Sequence, residues 1–221
     1  MELVVATSNP HKIEEIDAIF REIGLLGVRL LTLKEAAGDV VIPEPAETGS
    51  TFEANARIKA KAYAAALQRH CLADDSGLEV DVLGGEPGVI SSHYCTDGRE
   101  EGMPRAERDR RNNERLLKEL EDVPLEAREA RFVCVMAIAA WVGHAARVVL
   151  DVRGTCPGRI GLPGDVPRGE HGFGYDPLFL VPPDYTRASS ELSMDEKNAI
   201  SHRGEAARFL GQLLSAGVVS L

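Results

Sequence analysis

The sequence has few of the features that mark membrane and secreted proteins. Aromatic residues make up only 5% of the chain, and no apolar run approaches the roughly 20 residues that a membrane-spanning helix requires. Residues 1–6 lack a basic stretch ahead of their apolar side chains, which predicts a first strand and not a signal peptide. We therefore expect a cytoplasmic protein without a membrane partner.

Cysteine is also scarce. None of the cysteines forms a Cys-x-x-Cys pair or joins a compact group of histidines, so their spacing is not that of a structural zinc site. In a cytoplasmic chain of this length the pattern predicts free thiols. The four residues are Cys71, Cys95, Cys134 and Cys156.

An excess of positive charge is absent as well. Lysine and arginine total 25 against 35 acidic residues, which gives a net charge of −10. This balance argues against a nucleic-acid partner, because phosphate backbones attract broad basic faces. A small phosphorylated ligand stays compatible with it, since a few cations in a cleft suffice and a divalent metal can add more positive charge.

The residues that are present predict an α/β fold. A hydrophobic content of 44% over 221 residues is enough for one domain, or for two small lobes that share a core. Residues 3–6 predict a buried strand, and after a polar turn Ile13, Ile16 and Phe20 recur at helical spacing until Gly24. A strand, a polar loop and a helix in this order are typical of α/β proteins.

Further elements follow along the chain. Ser50 and Glu53 have the spacing of a capping box, which predicts that Ser50 is the N-cap of a helix, and Ser193 and Glu196 repeat the pattern. Apolar runs predict strands at residues 71–73, 132–142, 148–152 and 178–181, with a turn at Gly143 and His144 and an irregular segment over 154–177.

The first candidate for chemistry is the polar turn after the first predicted strand. A turn between a strand and a helix aims backbone N–H groups and the positive helix end at one point, which suits a phosphate. Neither a Walker A motif nor Gly-x-Gly-x-x-Gly occurs there, and an ordinary turn is the alternative. The residues are Thr7, Ser8, Asn9, Pro10, His11 and Lys12.

Two further candidates lie in the middle of the chain. Asn55 and Lys59 are four residues apart and share a face of the predicted helix, and Glu47 just before it can reach a metal or be an ordinary loop carboxylate. Asp74-Asp75-Ser76-Gly77 is predicted to turn the chain between apolar segments. Because buried carboxylates need a cation, this pair favours a site for Mg²⁺, which prefers one or two carboxylates with phosphates and water.

Two more candidates lie in the last third of the chain. In Gly172-Phe173-Gly174-Tyr175-Asp176-Pro177 the glycines allow close backbone approach, the aromatic rings offer stacking faces for a base, and Asp176 can accept a hydrogen bond. An aromatic turn packed on the core is the alternative. Lys197 and Ser201 share a face if they lie on one helix, and His202 and Arg203 offer donors for carbonyl oxygens or phosphates.

Taken in order, these five motifs resemble the inosine triphosphate pyrophosphatase family, also called non-canonical purine NTP or dITP/XTP pyrophosphatases. The resemblance covers nearly the whole chain. It implies a mixed central sheet flanked by helices, in one domain over 1–221 whose two lobes enclose a deep cleft. It also implies a homodimer that depends on Mg²⁺ and releases pyrophosphate and a nucleoside monophosphate.

The resemblance also implies a role for each motif. Asp75 would be the catalytic carboxylate and, with Glu47, a metal ligand. The triphosphate would lie against the turn at 7–12 and Lys59. The nucleoside would contact Ser76, Phe173, Gly174, Tyr175, Asp176, Lys197, His202 and Arg203.

The residue types agree with purines that carry a keto group at C6, as in dITP, ITP and XTP. Donors such as Arg203 and His202 satisfy a carbonyl oxygen but leave the amino group of adenine unpaired, which disfavours binding strongly. Two alternatives stay open. One is a related pyrophosphatase for modified pyrimidine or canonical nucleotides, and the other is a nucleotide-binding regulator without turnover.

Overall fold

The computed structural model describes residues 1–7, 10–25, 27–38 and 40–218, without the side chains of Pro10 and His11. The strands are β1 (Glu2–Val5), β2 (Arg29–Leu31), β3 (Cys71–Val80), β4 (Glu129–Val142), β5 (Ala145–Ile160) and β6 (Phe179–Leu180). The α-helices are α1 (Pro10–Glu22), α2 (Leu33–Ala37), α3 (Phe52–Leu67), α4 (Arg105–Glu119), α5 (Met194–Ile200) and α6 (His202–Ser215).

The strands form one mixed sheet in the order β2-β1-β3-β4-β5-β6. β1 pairs in parallel with β2 and with β3, where Val5 lies opposite Leu72, whereas β5 pairs antiparallel with β6. Gly143 and His144 have positive φ angles of 56° and 69° and connect β4 to β5. This is the backbone conformation of a two-residue hairpin turn. The predicted α/β class with a mixed sheet and flanking helices is confirmed.

The chain divides into two compact units. Unit 1 comprises residues 1–76, 134–155 and 202–221, and unit 2 comprises 77–133 and 156–201. The core of unit 1 includes Leu3, Phe20 and Met136, and that of unit 2 includes Tyr94 and Phe179. The single domain over 1–221 with a deep cleft between two lobes stays a prediction.

Two strands differ from the sequence prediction. β3 runs unbroken from Cys71 to Val80, so the predicted turn at 74–77 is wrong and these residues lie within a strand. β5 continues to Ile160, through glycines that were predicted to begin an irregular segment. A Cβ on Gly154 would overlap the backbone of α6, and one on Gly158 would overlap the ring of Phe179. Both glycines therefore mark close packing against a strand.

The start of α3 also needs a correction. Thr51, and not Ser50, is the N-cap: its side-chain oxygen accepts a hydrogen bond from the N–H of Ala54. The capping box of Ser193 and Glu196 is confirmed at the start of α5. Within the ranges that the structure describes, no helix combines the length and the apolar character that crossing a membrane requires.

Candidate functional site

Unit 1 brings the two central carboxylates of β3 into contact with lysines from different helices. Adjacent residues of a strand point to opposite faces, so Asp74 and Asp75 meet different neighbours. Lys12, in the first turn of α1, pairs with Asp74, and Lys59, on α3, pairs with Asp75. The two carboxylates, which the sequence predicted at a turn, thus lie within a strand.

Asp74 is surrounded by donors. The Nζ of Lys12 lies 2.9 and 2.8 Å from its two carboxylate oxygens, and the Oγ of Ser76 donates to Oδ2 over 2.8 Å. Arg203 approaches the same oxygen to 3.7 Å. Burial alone raises the pKa of Asp74, but the charges of Lys12, Arg203 and Lys59 outweigh it and hold that pKa well below its usual range. Asp74 is therefore ionised and fixes the positions of the cationic groups around it.

Asp75 is less well satisfied. Its Oδ1 accepts from the Nζ of Lys59 over 2.7 Å, whereas its buried Oδ2 has no hydrogen-bond partner among the described residues. Burial raises the pKa of Asp75 to about 6; the neighbouring Glu47 carboxylate raises it further, and Lys59 opposes both effects. A buried carboxylate oxygen without a partner costs free energy in the ligand-free state. Such an atom is suited to a cation or a water that arrives with a ligand.

Lys59 links Asp75 to the loop before α3. Its Nζ lies 3.1 Å from an oxygen of Glu47. Burial alone lowers the pKa of Lys59, but the charges of Asp75, Asp74 and Glu47 outweigh it and raise that pKa above its usual range. Asn55, on the same face of α3, accepts a hydrogen bond from the N–H of Gly49 over 2.8 Å and so holds this loop. A Cβ on Gly49 would lie 2.7 Å from the Asn55 side-chain oxygen, so the position favours glycine.

The donor set of this cluster fits a hard divalent cation. Glu47 and Asp75 supply two carboxylates, and both accept a hydrogen bond from Lys59. The Oδ2 of Asp75 has no hydrogen-bond partner among the described residues. No group of three or more His, Cys, Asp or Glu side chains able to hold a metal occurs within the described ranges. Mg²⁺ is commonly held by one or two carboxylates together with substrate phosphates and water, so two protein ligands are sufficient.

Arg203 and His202 begin α6 and are buried in unit 1. The guanidinium of Arg203 donates to Glu15 over 2.6 Å, and its Nε has no hydrogen-bond partner within the part of the chain that the structure describes. Sequence reasoning missed Glu15. The feature of the sequence that could have indicated Glu15 is its position three residues after Lys12, which places both side chains on one face of α1.

Unit 2 assembles the second set of predicted residues around Asp176. The Oδ2 of this carboxylate accepts from the N–H of Phe173 over 2.9 Å and from Lys197 over 2.7 Å, and Oδ1 accepts from Ser189 over 2.9 Å. The Nζ of Lys197 lies 5.4 Å from the centroid of the Phe173 ring. A Cβ on Gly172 would overlap Asp176, so the turn depends on glycine there. Asp176 thus holds the partly exposed Phe173 ring in place.

Some predicted site residues differ from expectation. The ring of Tyr175 is 4% exposed and belongs to the core of unit 2, where its hydroxyl donates to the carbonyl of Ser91, so it offers no stacking face. Ser201 is the C-cap of α5 and does not share one helix with Lys197. Lys197 lies in unit 2, whereas His202 and Arg203 lie in unit 1.

The predicted phosphate turn is only partly described. Thr7 lies two residues after β1 and is half-buried, and Lys12 lies in the first turn of α1. The predictions for Ser8 and Asn9, and for the side chains of Pro10 and His11, lie outside what the structure describes. Lys12 is therefore the residue of this motif whose contacts are known.

Comparison with known proteins gives one consistent result. The model described as the Ham1 family matches residues 3–213. A dITP/XTP pyrophosphatase of Geobacillus kaustophilus is 43% identical over 205 residues, which is 93% of this chain and 90% of the relative. Another, of Nitratidesulfovibrio vulgaris, is 44% identical over 214 residues, which is 97% of this chain and 96% of the relative.

Solved structures agree with these relatives. The Ham1 protein of Coxiella burnetii has a TM-score of 0.79 and 35% identity, covering 98% of this chain and 100% of that one. The Ham1 protein of Staphylococcus aureus has a TM-score of 0.75 and 36% identity, covering 98% and 99%. The resemblance drawn from the five sequence motifs is confirmed, and the chain belongs to the Ham1 family.

Proposed function

We propose that this protein hydrolyses non-canonical purine nucleoside triphosphates such as dITP, ITP and XTP. Water adds to phosphorus, the anhydride bond between the α- and β-phosphates breaks, and a nucleoside monophosphate and pyrophosphate leave. Relatives named dITP/XTP pyrophosphatase, each similar over nearly its whole length, support this reaction. The structural observation that carries the proposal is the buried, unpartnered oxygen of Asp75 beside Lys59 and Glu47.

Asp75 and Glu47 are the residues proposed to hold Mg²⁺. When bound, the ion would neutralise phosphate charge and polarise the phosphoryl oxygen. Asp75 is also the proposed base that takes a proton from the attacking water, since its pKa of about 6 leaves it mostly ionised at neutral pH and still able to accept a proton. Lys59 orients the Asp75 carboxylate over a contact of 2.7 Å.

Lys12 and Lys59 are the proposed cations for the triphosphate. Both are held by carboxylates of β3, which fixes their ammonium groups before a ligand arrives. Preorganised charges of this kind stabilise a transition state without a reorganisation cost. The N-terminus of α1 adds the backbone N–H groups that follow Pro10. By resemblance to the family, the remaining phosphate contacts are assigned to Thr7, Ser8, Asn9, Pro10 and His11.

The remaining predicted residues are proposed as nucleoside contacts. In unit 2 the ring of Phe173 offers a stacking face, with Gly174, Asp176 and Lys197 around it and Tyr175 anchoring the turn in the core. In unit 1 the donors are Ser76, His202 and Arg203, and the Nε of Arg203 has no hydrogen-bond partner within the described ranges. Donors favour a C6 keto group over the amino group of adenine. A cytoplasmic homodimer completes the proposal, by resemblance to the family.

A panel of nucleotides tests the reaction and the base preference together. Wild-type protein with Mg²⁺ is incubated with dITP, ITP, XTP, dGTP, dATP, dTTP and dUTP, and pyrophosphate and orthophosphate are measured separately. We expect pyrophosphate from the first three and little from the rest. The matched Asp75→Asn variant controls for a contaminating enzyme and should lose turnover by a factor of about 100 or more. Release of orthophosphate, or an equal rate on all seven, would contradict the proposal.

A further inference from the structure

Helix α4 presents a row of three polar side chains to the Phe173 turn within unit 2. Arg105, Asp109 and Asn113 follow one another at intervals of four residues, so they share one face of the helix. On another part of the helix surface, Arg110 and Arg111 form ion pairs with Glu107 along α4 itself. The residues at 105, 109 and 113 differ from these, because they contact the Phe173 turn.

Two of these residues hold the peptide groups on either side of Gly174. The N–H of Gly174 donates to Oδ2 of Asp109 over 3.1 Å. Its carbonyl oxygen accepts from Nδ2 of Asn113, also over 3.1 Å. Gly174 has a φ angle of +62°, a conformation that a side chain disfavours, so these bonds fix a backbone that local preference leaves free.

The third residue lies against the aromatic ring. The guanidinium carbon of Arg105 is 4.6 Å from the centroid of Phe173, within the range of a cation–π contact. Its Nε is 3.7 Å from Asp109, so the carboxylate that holds Gly174 also orients Arg105. Arg105 is half exposed, so a ligand can exchange with it or pack beside it.

The bonding of Asn113 favours a positioning role over a purely stabilising one. Its side-chain oxygen is buried and has no hydrogen-bond partner within the described ranges, although its Nδ2 is used by Gly174. A buried acceptor that stays unpaired costs free energy. The amide thus contributes less to stability than a fully paired one, while its hold on the Gly174 carbonyl is kept.

We propose that Asp109 and Asn113 are positioning residues for base recognition, which set the Phe173–Gly174 backbone from α4, with Arg105 as a cationic cover on the Phe173 ring. This inference rests on the proposed function and extends it to the charged helix that the sequence motifs did not include. It predicts that changes on this face of α4 affect the nucleoside part of the substrate and spare the triphosphate part.

Steady-state kinetics with a phosphate-only competitor tests this. Asn113→Ala should raise the KM for ITP about five- to tenfold, with a smaller change in kcat. This is the effect expected when one hydrogen bond is lost and the Phe173–Gly174 backbone that it positioned is no longer fixed. The preference for ITP over ATP should narrow. Inhibition by inorganic tripolyphosphate, which has no base, should stay within about twofold of wild type. Asp109→Asn keeps an acceptor for the Gly174 N–H and should recover most of the loss seen in Asp109→Ala.

The neighbouring Asn112→Ala is the matched control. Asn112 accepts from the N–H of Cys95 and donates to the carbonyls of Ser91 and Ser92, and within the described ranges no hydrogen bond joins it to Gly174. It should lower the melting temperature and leave the ITP/ATP preference unchanged. An equal effect of both asparagines on that preference, or an unchanged KM in Asn113→Ala, would overturn the inference. No hydrolysis of ITP by the wild type would overturn the proposed function, and this inference with it.

Discussion

Neighbouring carboxylates on β3 have opposite electrostatic surroundings. Asp74 meets Lys12, Ser76 and Arg203, and its pKa is lowered. Oδ1 of Asp75 accepts from Lys59, Oδ2 has no hydrogen-bond partner among the described residues, and burial together with the nearby Glu47 carboxylate raises its pKa. The sequence identified the pair of carboxylates as a site. It did not predict which lysine serves which aspartate, because that depends on strand alternation and on helices distant in sequence.

The role assigned to Asp74 predicts a large loss of stability in Asp74→Asn. Removing one partner of a buried ion pair leaves uncompensated charge, and such changes cost about 3 kcal/mol. The side chains of Asp74 and Arg203 are both 4% exposed, so water screens them little. Denaturant unfolding at neutral pH measures the loss. Asp151→Asn, which breaks the exposed pair with Arg57, is the control and should cost at most about 1 kcal/mol. Equal effects would contradict the assignment.

Asp75 should titrate near pH 6 in the metal-free protein, because burial and the neighbouring Glu47 carboxylate together disfavour its charged form more than Lys59 favours it. The folded chain then binds more protons than the unfolded one between the ordinary pKa of 3.8 and about 6. The contribution of Asp75 to stability is therefore fully present below that window and is lost as pH rises through about 6.

An NMR titration of carboxyl-labelled aspartate measures this pKa directly, with Asp75→Asn identifying the resonance. The difference in unfolding free energy between wild type and Asp75→Asn should fall by on the order of 2 kcal/mol as pH rises across the same window. A titration midpoint of about 4 would show that Lys59 compensates burial in full.

At the level of elements, the pattern predicted the central hairpin and the capped helices but not the extent of two strands. β3 was divided because Asp74, Asp75, Ser76 and Gly77 interrupt an apolar run. Cations from α1 and α3 pair with these carboxylates, and no local pattern records such partners. β5 was shortened because Gly154 and Gly158 resemble loop residues, whereas each allows close contact with another element. Tertiary contacts override local preference in both cases.

The corrected N-cap of α3 gives an element-scale prediction. Thr51→Ala removes the acceptor for the N–H of Ala54 and should lower the unfolding free energy by about 1 kcal/mol. Ser50→Ala, one residue earlier, is the matched control and should change it by less than about 0.5 kcal/mol. Because α3 carries Lys59 and Asn55, the Thr51 variant should also weaken Mg²⁺ binding slightly. A larger loss from Ser50→Ala would restore the capping box that the sequence suggested.

At the scale of the whole molecule, three strands connect the two compact units. β3 crosses the division after residue 76, β4 after 133 and β5 after 155. A linker between independent domains is typically exposed and flexible, whereas these connections are continuous strands. The sequence predicted one domain over 1–221, and these continuous strands favour unfolding as one cooperative unit.

The cysteines report on that cooperativity, because both units contain buried ones. Cys71 and Cys134 lie in unit 1 and Cys156 in unit 2, and none of the three forms a disulfide within the described residues. Burial raises the pKa of Cys71 and of Cys134 to about 12, so these thiols should be inert in the native state. Alkylation at increasing denaturant, read by peptide mass spectrometry, should expose all three over one transition. Cys95, which is only partly buried, should react earlier and serves as the internal control. If Cys156 became reactive at a clearly different denaturant concentration from the other two, the units would unfold separately and the prediction of one domain would be wrong.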